Sequence, residues 1–176
     1  MSFPSFATGE VLTAADMNAV GLWLVKSQTV GTGVSSVTVT GAFSADYDAY
    51  QVIYSNGVMS ADTALVCQIG GAVTGYYGAY TYGSYTGTGP FVAGDNNNTR
   101  FTYCGGGDSS GAAAMFTLNN PFLSKQTFIN APVAYSTNVG NFVGRLADTS
   151  SYTSITIGPF TGTMTGGTIR IYGFRK

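Results

Sequence analysis

From Leu22 to the C-terminus the chain reads as short runs rich in Thr, Val, Ile, Tyr and Phe, each closed by a cluster of Gly, Asn or Pro. Runs of that length and residue type, punctuated that often, leave no room for long helices or for helical crossovers between parallel strands. Strands are expected near residues 22–30, 35–40, 49–55, 64–69, 72–82, 99–104, 112–118, 126–136, 139–146, 153–158 and 168–174. The spacing predicts an all-β fold, an antiparallel β-sandwich with jelly-roll-like topology. No internal repeat of propeller or solenoid length is present. Asn56-Gly57, Gly70-Gly71 and Gly166-Gly167 suit the positive φ angles of two-residue hairpins. The polar, Gly-rich stretch 83–98 is expected to be an exposed loop.

Helix signals are confined to the segment before the first strand. Thr13-Ala14-Ala15-Asp16 has the form of a capping box, Met17 and Ala19 tolerate the helix, and Gly21 would end it. Two turns are too few to be stable alone in water, so this short N-terminal helix must dock on something. Phe6, Val11, Leu12, Thr13, Asp16, Met17 and Trp23 are the candidate attachment or oligomer contacts. The chain, at 176 residues, is therefore read as an attachment segment, 1–21, and one β domain, 22–176.

Charge narrows the partners. Only 9% of residues are charged, with Lys+Arg 7 against Asp+Glu 8, so there is no basic field to hold nucleic acid or an anionic membrane. No apolar run is long enough to span a bilayer, and the start lacks the basic and apolar regions of a secretory signal, which predicts synthesis in a cytosol. A surface so poor in charge is expected to be buried in an assembly, making the chain a homo-oligomer.

Chemistry has few residues to work with. The absence of histidine removes the commonest general base, the Ser-His-Asp triad and His-containing zinc sites. Of the carboxylates, Asp16 reads as a helix cap, and Asp46, Asp62, Asp95, Asp108 and Asp148 as turn residues that bond the local backbone. A non-enzymatic protein without cofactor or metal is expected. Asp95-Asn96-Asn97-Asn98 offers oxygen ligands but lacks the spacing of a calcium loop and reads as a solvated turn. Strand parity places Cys67 with Leu65 and Ile69, but Cys104 opposite Phe101 and Tyr103, so reduced thiols on unlike faces are expected.

The most distinctive stretch runs from Tyr76 to Tyr85 and contains Tyr76, Tyr77, Tyr80, Tyr82 and Tyr85. Tyr rings can stack on sugar rings and bond their hydroxyls, so these residues, with Arg100 as a hydroxyl clamp or cation-π partner, form a candidate glycan-binding platform. The competing reading is a cross-strand or inter-protomer aromatic stack of Tyr76, Tyr80 and Tyr82, which share parity.

Both chain ends carry short motifs. The segment from Phe6 to Asn18, FATGEVLTAADMN, resembles the F-x-x-G-x-V-L-T-A-A-x-L/M-N stretch that opens many bacteriophage tail-fibre and related minor virion proteins. The segment from Gly167 to Lys176, GTIRIYGFRK, is similar to the strand that closes several small phage appendage proteins. The resemblance implies a structural role in the virion, often as a trimer, with the N-terminal segment near the attachment point to other virion proteins. A host surface glycan enters as a partner through the Tyr-rich strand and the Gly/Asn stretch beside it, not through the resemblance. With no heptads or repetitive shaft, a short knob, a head (capsid) decoration or a tail-surface protein fits better than a long fibre.

Overall fold

The structure is a computed structural model that describes Gly9 and residues 21–87 and 89–175. Among these residues there is no helix, and thirteen strands join in one antiparallel hydrogen-bonded sheet. The short helix expected around residues 13–20 lies outside the described residues.

In chain order the strands are β1 Leu22–Thr29, β2 Val37–Thr40, β3 Tyr47–Met59, β4 Thr63–Ile69, β5 Tyr76–Ser84, β6 Pro90–Asn98 and β7 Phe101–Gly107. They continue with β8 Ala112–Asn119, β9 Thr127–Tyr135, β10 Asn138–Leu146, β11 Ser154–Pro159, β12 Met164–Thr165 and β13 Thr168–Arg175. A long limb runs β1-β13-β3-β8-β9-β10-β5-β6, and a short limb runs β2-β11-β4-β7. They meet at β8, whose first residues pair with β7 and whose last pair with β9.

Alternation explains the pleat. Along β8, Ala112, Ala114, Phe116 and Leu118 are buried, while Ala113, Met115 and Asn119 face out. Register carries that face across the long limb to Tyr50, Val52 and Tyr54 of β3, and to Ile129, Ala131 and Val133 of β9. On the short limb the ladder Val39–Ile155–Ile69 and its neighbour Val37–Ile157–Cys67 supply the facing layer. The sheet curls so that Phe101 of β7 meets Tyr76 of β5 at 4.8 Å and Phe142 of β10 at 5.9 Å between ring centroids. One apolar core results.

Several expectations need correction. Residues 83–98 are not a loop. Residues 90–98 form β6, an edge strand paired to β5 across a turn at 85–89. The segment is polar because one of its sides faces solvent, and its strand conformation comes from pairing with β5 rather than from propensity.

Asn56-Gly57 and Gly166-Gly167 are not hairpins either. Asn56 has φ 62 and sits inside β3, where the pairing with β8 slips between Tyr54 and Gly57. Gly167, at φ 82, comes so close that a Cβ there would lie 2.6 Å from the Ser55 carbonyl oxygen. The two positive-φ sites thus serve a single bulge, locked by the Tyr54 hydroxyl donating to the Gly166 carbonyl at 3.0 Å. Gly70-Gly71 does form a tight turn, closed by Ala72 N–H to the Ile69 carbonyl, but β4 and β5 on either side do not pair.

Strand parity also misplaces Cys104. Leu65 pairs with Gly105 and Cys67 with Phe101, so β7 holds two more residues than β4 over the same span. Within that irregular stretch the alternation breaks once between Phe101 and Cys104, so both turn inward, and the two buried thiols meet with Sγ atoms 3.0 Å apart.

Candidate functional site

The tyrosines of β5 build an aromatic column. Tyr80 stacks on Tyr82 at 4.6 Å and 13° on one side and on Tyr103 of β7 at 4.7 Å and 25° on the other. Tyr135 of β9 extends it at 6.5 Å from Tyr103, and Phe91 of β6, the cross-strand partner of Tyr82, at 5.5 Å from that ring. The period of two places Tyr80 and Tyr82 on one face, and curling of the sheet brings in Tyr103 and Tyr135. Tyr80 is fully buried, and burial, followed by the charges neighbouring Tyr135, Tyr82 and Tyr103 would carry, pushes its phenol up to about 12. Burial raises Tyr103 and Tyr135 as well. These phenols are neutral at ordinary pH and offer flat apolar surface rather than a base.

Tyr76 belongs to a different part of the core. It is fully buried, its ring meets Phe101 edge-on, and its hydroxyl accepts the Ile69 N–H at 2.8 Å. Tyr76 and Tyr80 therefore present no ring to solvent, and only Tyr77, Tyr82 and Tyr85 of the expected platform reach the surface. Tyr85 is 72% exposed at the β5–β6 turn, and its hydroxyl donates to the Ser136 carbonyl at 3.1 Å. Tyr77 faces the other side of the sheet, where the Arg145 guanidinium lies 5.7 Å from its ring centre. Arg100 does not join the Tyr strand; its guanidinium sits 5.4 Å over the ring of Phe160.

Asp95 is buried on β6, not exposed in a turn. Its carboxylate accepts the Thr102 N–H at 2.9 Å, the Thr102 hydroxyl at 2.5 Å and the Asn98 amide at 2.7 Å. Asn97 uses its side-chain oxygen to accept the Gly75 N–H at 3.0 Å. These oxygens are turned to protein donors rather than to a cation, and among the described residues no group of three metal-ligating side chains occurs. Asp62, Asp108 and Asp148 each accept a backbone N–H, from Ser136, Ser110 and Ser150 respectively. Hydrogen bonds from the Tyr152 hydroxyl and then from Ser150 hold the Asp148 carboxyl below its usual range.

The strongest surface feature is the outer face of the long limb. Register places Phe174, Phe128, Met115, Val143, Val139 and Val92 on one side of β13, β8, β9, β10 and β6. Met115 is 50% and Val143 54% exposed. Arg145 and Arg170 share this side, and none of the described residues that register places here is acidic. Where β8 and β9 part, the face dips into an apolar hollow of about 470 Å³ lined by Ile53, Met115, Pro132, Ala134 and Val139. Composition alone does not locate this face. The signal lies in residues 139–146, where Val139 and Val143 are apolar on one parity and Phe142 and Leu146 on the other.

Of the expected attachment residues, Phe6, Val11, Leu12, Thr13, Asp16 and Met17 lie outside the described residues. Trp23 sits half-buried on β1, and its buried indole N–H finds no acceptor among the described residues. No family model, curated protein or solved structure matches the chain.

Proposed function

We propose that the chain is a non-enzymatic structural subunit of a bacteriophage particle, a small tail-fibre-like or surface-appendage protein that works as a homo-oligomer, with a trimer favoured. The observation that carries the reading is the apolar stripe on the side of the long limb that the described residues leave uncovered. Eight strands at ~4.8 Å spacing and about seven residues long present roughly 900 Å². That footprint, on which the apolar residues alternate with Gln51, Thr117, Asn130, Asn141 and Arg145, matches the roughly 800 Å² a partner contributes to a standard interface. The low charge and the N-terminal resemblance support the same conclusion.

In this reading the curled sheet is a jelly-roll-like sandwich, its two limbs facing each other across the core. Residues 1–21 form the attachment segment to other virion proteins, the subunit is made in the host cytoplasm, and its final place is the virion. The particle supplies the test. Deleting residues 1–21 should leave the β domain soluble but absent from assembled particles; incorporation at the wild-type level would remove the assignment.

A second reading, a receptor- or glycan-binding module, is favoured by Tyr82 and Phe91 at the exposed end of the aromatic column and by the exposed ring of Tyr85 in the turn after β5. A hollow of about 160 Å³ walled by Tyr103, Tyr135, Phe160 and Thr63 is a further aromatic surface of sugar-ring size. Glycan-array binding that is lost in Tyr85→Ala and Phe91→Ala, with the fold intact, supports this reading, and no binding to any host-surface glycan rejects it. A capsid decoration role is separated from a tail role by locating the subunit on the particle.

A further inference from the structure

We propose that Cys67 and Cys104 are a redox pair that closes to an intramolecular disulfide under oxidising conditions, stapling β4 to β7. The two thiols are fully buried on paired antiparallel strands, with Cys104 donating to the Cys67 sulfur at 3.0 Å. That separation is about 1 Å longer than a disulfide bond of ~2.05 Å, so closure asks for a small movement rather than a strand shift. The irregular pairing of β7 opposite Leu65–Cys67 creates this approach by breaking the alternation between Phe101 and Cys104, and a regular ladder would have sent Cys104 to the other face.

The surroundings suit neither metal binding nor nucleophilic catalysis. Leu65 and Ile69 flank Cys67 on its face, Ile157 pairs beside it, and Phe101 lies across from it. Among the described residues no third metal ligand joins them. Burial, ahead of the neighbouring Cys67 thiol and Asp95, pushes the Cys104 thiol well above its usual range, so little thiolate forms while the fold is closed and oxidation waits on folding or local opening. What remains is a pair protected in the closed fold and able to join when an oxidant reaches it or when the chain folds in its presence.

With hydrogen peroxide as the oxidant, one thiol becomes a sulfenic acid as the peroxide O–O bond breaks and a water leaves. The other sulfur then attacks it, the S–S bond forms, the S–O bond breaks and a second water leaves. Two thiols and one peroxide thus give one disulfide and two waters. The span closed, 37 residues, contains the β5–β6 hairpin and, apart from Tyr135, the rings of the aromatic column, so the staple would fix the part of the sheet farthest along the long limb.

The test has two arms. The full chain is refolded from denaturant in a glutathione thiol–disulfide buffer, and separately the folded chain is treated with hydrogen peroxide. The expected result in the refolding arm is an intact mass lower by two hydrogens and a non-reduced digest that links the Cys67 and Cys104 peptides. The melting temperature should exceed that of the reduced sample by about 5–10 °C. Cys67→Ser and Cys104→Ser, carried through in parallel, should each keep one alkylatable thiol and show no such rise. The peroxide arm should give the same linkage more slowly than refolding. The proposal is overturned if both thiols remain alkylatable after both treatments, if only glutathione adducts or inter-chain links form, or if the linkage lowers the melting temperature.

Discussion

The ring of Phe142 on β10 occupies the space that a side chain at Gly78 on β5 would need, so a Cβ at residue 78 would enter the ring and also meet the Val143 carbonyl at 2.9 Å. Phe142 is itself fully buried and pairs across the sheet with Tyr80. A glycine in this strand is what lets the aromatic layer lie flat on the sheet. Gly78→Ala should therefore destabilise by about 1–3 kcal/mol through overpacking, read from the urea midpoint. Gly83→Ala, where nothing lies within 4 Å of the added Cβ, should shift it by less than about 0.5 kcal/mol.

Tyr54→Phe should cost about 1 kcal/mol. The hydroxyl it removes is the donor to the Gly166 carbonyl at the bulge of β3, and the ring would still fill its place. An unchanged unfolding free energy would mean that water replaces the hydroxyl at that carbonyl.

Asp95→Ala should cost about 2–3 kcal/mol, since it leaves the Thr102 N–H and hydroxyl without their acceptor and the Asn98 amide with the Thr102 hydroxyl oxygen alone. Calcium added to the wild-type chain should leave the melting temperature unchanged. A calcium-dependent rise that disappears in Asp95→Ala would contradict the assignment of this carboxylate to a purely internal network.

Alkaline pH should unfold the protein through its tyrosines. The folded phenol of Tyr80 is raised from 10.0 to about 12, so the folded state keeps a proton that the unfolded chain loses. Its contribution is complete below pH 10 and declines as pH rises toward about 12. Ultraviolet titration should show a set of tyrosines that ionises only with loss of the folded signal. A single titration at the ordinary value, with the fold retained, would show that the column is solvated.

The sequence disclosed the class of fold and most of its strands because period-two patterning and turn residues are local signals. What failed was set at a distance. β6 is a strand because β5 is beside it, although its own Asp95-Asn96-Asn97-Asn98 run favours a turn. Asn56-Gly57 and Gly166-Gly167 carry turn chemistry, but they use it opposite one another in a bulge. Cys104 is misplaced by parity because the alternation breaks inside the irregular part of β7, between Phe101 and Cys104. The Tyr80–Tyr82 half of the column was legible from spacing, whereas Tyr103 and Tyr135 arrive from β7 and β9 only after the sheet curls. The outer face was readable in principle from Val139 and Val143, since their parity is opposite to that of the buried Phe142.

Substituting that face should separate the subunits without unfolding them. Met115→Glu and Val143→Glu each place a charge at a half-exposed position, so neither alters the core formed by Phe116 and Phe142. Each should leave the circular dichroism spectrum and melting behaviour of the isolated subunit close to those of the wild type while weakening association by at least tenfold, the effect of about 1.4 kcal/mol.

Sedimentation equilibrium of the wild-type chain at micromolar concentration is the most direct measurement of the central claim. The expected result is a species three times the 18.2 kDa chain mass that falls to the single-chain mass in Met115→Glu/Val143→Glu. A wild-type chain that sediments at 18.2 kDa across the whole concentration range, with its apolar face open to water, would contradict it.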